Sequence, residues 1–269
     1  MAAKTKFILF AILIAFAMFP AVSLAAKKAP KPIPKSACKP SYPSDDWVEW
    51  SCHRMKGNET PEKLFGEHWE AVLRFNRIDR RHIWEGKYIK IPANLPDVTT
   101  LPFSPMPKEA INYRGYPKYV LINLKEQFIG AYEFGELKFS IPIASGRAGH
   151  TTPKGMFKVL GGDKNHESNL YKIEKTDIPY PMHWAVKFYT TKRYVSFWIH
   201  GRDLPGYPAS HGCVGLYDEE MQRDYYDFDK EPQLMDAKKF YLWIFPDSEN
   251  NEKPHDYPKN SPEIPVEIF

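Results

Sequence analysis

The sequence predicts a mainly β protein: a sandwich- or barrel-like body preceded by a small α+β unit. Three observations carry that reading. Between residues 119 and 144, three short runs rich in β-branched and aromatic residues alternate with turn residues, as antiparallel strands do. Ahead of them, over residues 45–95, the pattern is strand, helix, helix, strand. Prolines, 25 in 269 residues, crowd toward both ends and mark connectors and tails around these two bodies.

Residues 1–25 read as an export signal. Lys4 and Lys6 form the charged start, residues 7–19 are an unbroken apolar run, and Ser23-Leu24-Ala25 is a small-x-small cleavage pattern. The alternative is a membrane anchor, but this run falls short of the roughly 20 residues a bilayer needs. Cleavage is expected after Ala25 or Ala26. No cysteine sits at the cleavage site, which argues against a lipoprotein, and no other run is long enough to span a membrane. Losing Lys4 and Lys6 takes the net charge from +4 to +2, a balance that gives no support to nucleic-acid binding.

Residues 26–44 are rich in proline and lysine and read as an extended linker. In the 45–95 unit, Trp47-Val48-Glu49-Trp50 alternates like a short strand. Thr60 is a helix N-cap with Pro61 at the first helical position. Trp69, Val72, Leu73 and Asn76 continue at helical spacing, and Tyr88-Ile89-Lys90-Ile91-Pro92 is a strand ended by proline. Residues 96–114 form a second connector, broken by Pro102, Pro105 and Pro107.

The β body covers residues 115–246. Strands are expected at 119–124, 127–134 and 139–144, with Lys125-Glu126 at the first turn. Residues 161–176 are polar and read as a loop. Residues 194–200 form an aromatic strand whose Phe197 and Trp198 are most simply core. Asp218 is an N-cap for a helix that begins with acids. Lys239-Phe240-Tyr241-Leu242-Trp243-Ile244-Phe245 reads as a last strand, and residues 247–269 as an extension.

Chemistry concentrates in Ile199-His200-Gly201 and Ala209-Ser210-His211-Gly212-Cys213-Val214. A thiol becomes a useful nucleophile when a base takes its proton, and two imidazoles stand near Cys213 in sequence. Gly212 leaves backbone N–H groups unshielded beside it, able to hold an oxyanion. With three cysteines in an exported chain, spacing favours pairing Cys38 with Cys52 and leaving Cys213 free; three buried thiols are the alternative. A metal site from His200, His211 and Cys213 is another reading, but it lacks a fourth ligand.

The Ile-His-Gly and Ser-His-Gly-Cys-Val segments resemble the signature of the L,D-transpeptidase (YkuD) family. Ser145-Gly146-Arg147 with Thr152-Pro153-Lys154-Gly155-Met156-Phe157 resembles a second family stretch. Ile178-Pro179-Tyr180-Pro181-Met182 resembles a third, which lines the substrate cleft. The resemblance implies Cys213 as nucleophile, His200 as general base and acid, and Gly201 as backbone orienter of that ring. It also implies oxyanion donors at Gly212 and Cys213, His211 in support of the pocket and Ser210 bracing the turn. No cofactor and no metal are implied. The family usually carries asparagine or arginine two positions past the cysteine, where this chain has Gly215, and the 201–209 loop is shorter than in many relatives. Separately, Asn58-Glu59-Thr60-Pro61-Glu62-Lys63-Leu64, Phe75-Asn76 and Gly86-Lys87-Tyr88-Ile89-Lys90-Ile91-Pro92 resemble a LysM module, so the α+β unit is a βααβ wall-binding candidate; a small structural cap is the alternative. The implied function is an exported peptidoglycan L,D-transpeptidase in a periplasm or cell wall. It would act on stem peptides and glycan, with no nucleic-acid partner and no stable membrane anchor after signal cleavage. The alternatives are an L,D-carboxypeptidase in the same pocket and a non-catalytic peptidoglycan-binding protein.

Overall fold

A computed structural model describes residues 32–44, 47–95 and 104–269. The export signal read over residues 1–25 lies outside the described residues, as do the first part of the linker and positions 96–103 of the second connector. Pro32–Phe269 form one compact unit.

Strand β1 (Trp50–Arg54) pairs antiparallel with β2 (Tyr88–Pro92), and helices α1 (Pro61–Phe65) and α2 (Trp69–Asn76) run between them. Thr60 caps α1 by accepting the Lys63 N–H, with Pro61 at the first helical position. The strand begins at Trp50 rather than at Trp47 because Trp50 lies opposite Pro92, where its partner stops. Cys38 and Cys52 form a disulfide, so residues 32–44 are fastened to β1 rather than strung out as a free linker.

The body contains β3 (Tyr119–Asn123), β4 (Phe128–Glu133), β5 (Glu136–Pro142), β6 (Gly155–Lys158), β7 (Gly161–Asp163), β8 (Glu167–Lys172), β9 (Pro179–Pro181), β10 (Ala185–Thr190), β11 (Ser196–Arg202) and β12 (Val214–Tyr217). Helices α3 (Glu219–Tyr226) and α4 (Asp236–Ile244) follow, then β13 (His255–Asp256) and β14 (Pro265–Ile268). Two five-stranded sheets result, ordered β12-β11-β10-β7-β13 and β5-β4-β3-β14-β6; β8 and β9 form a separate pair. One core joins the sheets. Val120, Ile122, Ile129 and Ile141 from one meet Val186, Phe188, Ile199, Val214 and Leu216 from the other, and Ala237, Phe240, Tyr241 and Ile244 of α4 fill it out. These apolar residues alternate along their strands, as a sandwich requires.

Three stretches depart from the sequence reading. Residues 239–244 are helical, not a strand, and Phe245 is the helix C-cap. Ala237, Phe240, Tyr241 and Ile244 are the buried set, a three-and-four spacing that a continuous apolar run conceals. Residues 161–176 hold β7 and β8 rather than a plain loop: β7 is built from Gly161 and Gly162, which carry no strand signal, and β8 is exposed along nearly its whole length, with no buried face to set an alternation. Residues 247–269 belong to the sheets, with β14 lying between β3 and β6. Ile264, Val266 and Ile268 alternate inward there, a short signal among prolines.

Met55, Phe65, Trp69, Val72, Leu73, Ile78 and Ile89 pack on Ala144, Leu204, Tyr217 and Leu234 of the body. Ion pairs surround this seam. Arg80 Nε donates to Glu219 Oε1 at 2.7 Å, Arg74 Nη2 to Asp236 Oδ1 at 3.0 Å and Arg77 Nε to the Glu126 carbonyl at 3.1 Å. The βααβ unit is thereby held at one edge of the cleft described next.

Candidate active site

Strands β11 and β12 run parallel, with His200 opposite Gly215. Side chains alternate along a strand, so Trp198, His200 and Arg202 share one face of β11. Gly215 shares that face on β12, and Cys213, two residues earlier at the strand's entrance, is directed the same way. His200 and Cys213 therefore meet in one cleft of about 740 Å³. No hydrogen bond joins the two in this geometry.

His200 is buried, and its Nδ1 lies 2.7 Å from the Gly201 carbonyl. A carbonyl only accepts, so Nδ1 carries the hydrogen and Nε2 keeps its lone pair. Burial pushes the imidazole down to about 3, although the Gly201 carbonyl favours its protonation. Burial likewise pushes the Cys213 thiol up to about 11, while a backbone hydrogen bond with Trp198 and the charge of Arg202 pull the other way. Both groups are thus neutral near pH 7.

The turn carrying Cys213 is braced from two sides. Ser210 Oγ donates to the Cys213 carbonyl at 2.5 Å and accepts the Gly212 N–H at 3.0 Å. The Ser210 and Ala209 N–H groups both donate to the Ser145 carbonyl, and Arg147 N–H to the Ser210 carbonyl. Gly212 has φ +120°, and a Cβ on it would lie 2.6 Å from the Phe197 ring, so both the backbone and the space require glycine. Its N–H differs from the sequence expectation of an oxyanion donor, being already engaged by Ser210.

His211 lies at the mouth. Its Nε2 accepts from Arg147 Nη2 at 2.9 Å, because a guanidinium only donates, and Tyr171 stacks on its ring. The His183 carbonyl accepts the Gly201 N–H at 2.8 Å, which steadies β11 from behind.

His200, His211 and Cys213 do not converge as metal ligands. Among the described residues, the ligand atoms that do cluster belong to Asp79, His82 and Asp203. Both Asp79 oxygens are already occupied there, by the His82 N–H and ring and by Leu204 N–H and Gln222.

A profile of the YkuD family, L,D-transpeptidase catalytic domain, matches residues 117–256, more than half of the sequence. The chain belongs to this family. Among curated proteins none matches. Solved structures similar to it include an L,D-transpeptidase from Stackebrandtia nassauensis (18% identity, 64% of this chain, 60% of that one, TM-score 0.37). L,D-transpeptidase 1 from Mycobacterium tuberculosis is another (14%, 57% and 62%, 0.36), as is a protein from Xylanimonas cellulosilytica (20%, 74% and 77%, 0.42). The chain thus spans 60% of the first and 62% of the second. These likenesses add nothing to the family assignment.

Several lining groups of this YkuD domain escaped the sequence reading. Trp198 faces the cleft instead of the core, with His166 packed on it at 4.1 Å, and Asp163 Oδ2 holds His166 Nδ1 at 2.9 Å. Ser168, Leu170 and Tyr171 of β8 and the 193–195 turn form the outer wall. Arg81 reaches the cleft from the βααβ unit. Arg202 could have been found by counting two residues on from His200 in a strand; Arg81 carried no local signal.

Proposed function

We propose that the protein is an exported, cysteine-dependent L,D-transpeptidase acting on peptidoglycan stem peptides. The observation that carries this reading is the placement of Cys213 and a singly protonated His200 in one cleft, with His200 Nε2 left to accept a proton.

Cys213 Sγ attacks the carbonyl carbon of a peptide bond as its proton passes to His200 Nε2. Because both groups start neutral, proton transfer accompanies attack rather than preceding it. The Cys213 N–H is the oxyanion donor, since the Gly212 N–H is taken by Ser210. Collapse of the intermediate breaks the C–N bond, and the amine leaves with the proton from His200. A thioester remains. An acceptor amine then attacks it and gives its proton to His200, and the sulfur departs and is reprotonated. Gly201 keeps the tautomer, Ser210 the turn, and His211 the mouth of the pocket. The Cys38–Cys52 disulfide supports an oxidising compartment, such as a periplasm or cell wall. The βααβ unit is read as a LysM-like contact to glycan, tested by competing the full chain off sacculi with N-acetylglucosamine oligomers.

The main test is mass spectrometry of tetrapeptide muropeptides incubated with the protein and with Cys213→Ala. Cross-linked dimers lacking one terminal D-alanine, absent with the variant, are expected. Tripeptide monomers alone would make the enzyme a carboxypeptidase. Untouched substrate with the unmodified protein would sink both readings and favour a binding protein.

A further inference from the structure

Arg202 lies two residues beyond His200 on the same face of β11 and lines the cleft with Cys213. Its stem crosses the neighbouring strand at Gly215. A Cβ at position 215 would stand 1.8 Å from Arg202 Cδ and 1.9 Å from Cγ, so any side chain there would exclude the arginine. Its Nε donates to the Asp203 carbonyl at 3.1 Å, and the guanidinium meets no carboxylate at ion-pair distance among the described residues. Of the other cations of the cleft, Arg81 pairs with Asp203 at 2.9 Å and Lys172 with Asp177 at 2.6 Å, and Arg193 is exposed on the outer turn. In the same cleft the Tyr180 hydroxyl is buried, interacts electrostatically with Arg202 and Tyr226, and makes no hydrogen bond of good geometry among the described residues. An unmatched, half-buried guanidinium next to an unspent hydroxyl donor leaves donors with no acceptor, which is costly unless a ligand supplies one. A carboxylate fits a planar guanidinium fork.

We propose that Arg202, with the Tyr180 hydroxyl, forms a carboxylate subsite that anchors a free carboxylate of the bound peptide beside the carbonyl that Cys213 attacks. This rests on the transpeptidase reading. The carboxylate has two possible sources: the C-terminus of the residue that leaves, or an acidic group in the portion retained as acyl-enzyme. Gly215 is glycine because the arginine occupies its side-chain space.

The test uses the full chain carrying Cys213→Ala, so that binding is read without turnover. Calorimetry would compare the tetrapeptide as free acid, amidated only at its C-terminus, and amidated only at its internal carboxyl. One of the two amidations is expected to weaken binding tenfold or more, and which one identifies the source. Adding Arg202→Gln should weaken the free acid to the level of that amide and leave the amide unchanged. Arg202→Lys should keep part of the preference. Gly215→Ala should reproduce the loss without removing the charge, by displacing the arginine stem, and combining it with Arg202→Gln should cost nothing more. Equal binding of acid and both amides would overturn the subsite while leaving the transpeptidase reading intact. A preference that survives Arg202→Gln in a protein with an unchanged melting curve would also overturn it. Binding of none of the three peptides would overturn the transpeptidase reading itself.

Discussion

Two regions border the C-terminal end of β11, and they treat charge in opposite ways. At the seam with the βααβ unit, Arg74, Arg77 and Arg80 each find an acid in the body: Asp236, Glu126 and Glu219. Glu219 is fully buried, yet its oxygens also take the Gln233 and Leu234 N–H groups. In the cleft, among the described residues, Arg202 pairs with no acid, His200 Nε2 receives no hydrogen bond and the Tyr180 hydroxyl makes none of good geometry. A buried charge missing its partner is expensive, so the paired set reports how the chain is held together. The unpaired set marks where a ligand completes the structure.

The largest effect expected is on turnover. Cys213→Ala should lower transpeptidation by more than about 10³-fold while leaving the unfolding midpoint in place, read by muropeptide analysis beside a thermal melt. A variant that still turns over would remove the cleft from the comparison.

Arg80→Ala should do the reverse. Stranding Glu219 without its partner is expected to cost about 3–5 kcal/mol in urea unfolding. Arg202→Gln, which strands nothing, should change stability by less than about 1 kcal/mol. Equal losses for the two would erase the distinction between seam and cleft.

The neutral state of the reactive pair sharpens it further. Alkylation of Cys213 by iodoacetamide should climb roughly tenfold per pH unit through pH 8 and 9 and level off only near pH 11, because burial holds the thiol protonated. A plateau already reached at pH 6 would reveal a thiolate–imidazolium pair.

Asp218 provides the smallest and subtlest test. It caps α3 through Oδ1, while Oδ2 is buried without a partner, and burial pushes the carboxyl up to about 7 from an ordinary 3.8. Between those values the folded protein keeps a proton that the unfolded chain has released, so this group lowers stability as pH rises from about 4 to about 7. Asp218→Asn keeps the cap and removes the titration. It should gain about 1–3 kcal/mol over the parent at pH 8 and nothing at pH 4. His200, pushed down by burial, gives the opposite slope below pH 6.5 in both proteins and cancels from the difference. An equal gain at both pH values would show that Asp218 titrates normally.

The parts of the molecule legible in sequence are those whose signal is local. The β3–β4–β5 meander follows from alternation within each run, and the Thr60 and Asp218 caps from one residue and its followers. The proximity of His200 and Cys213 was legible as a motif. Their alignment required the parallel pairing of β11 with β12, which no spacing specifies. Residues 239–245 mimic a strand because a helix inside a core is apolar on more than one side, and its true stripe begins two residues earlier, at Ala237. The Arg202–Gly215 relationship stayed hidden for a different reason. It is a volume shared by two strands, visible only when both are in place.

Strand β14 has a consequence for the order in which this protein assembles. It lies between β3 and β6, hydrogen-bonded on both sides, yet it comes from residues 265–268, almost the whole body after β3 at residues 119–123. Until that segment arrives, β3 and β6 present open edges and Val120 and Ile122 lack their neighbours Val266 and Ile268. The turn carrying Cys213 is synthesised long before then, but the sandwich that supports it closes last. Any fragment cut after residue 256, where the family match ends, would keep every reactive group and lose an interior strand of the sheet opposite β11 and β12.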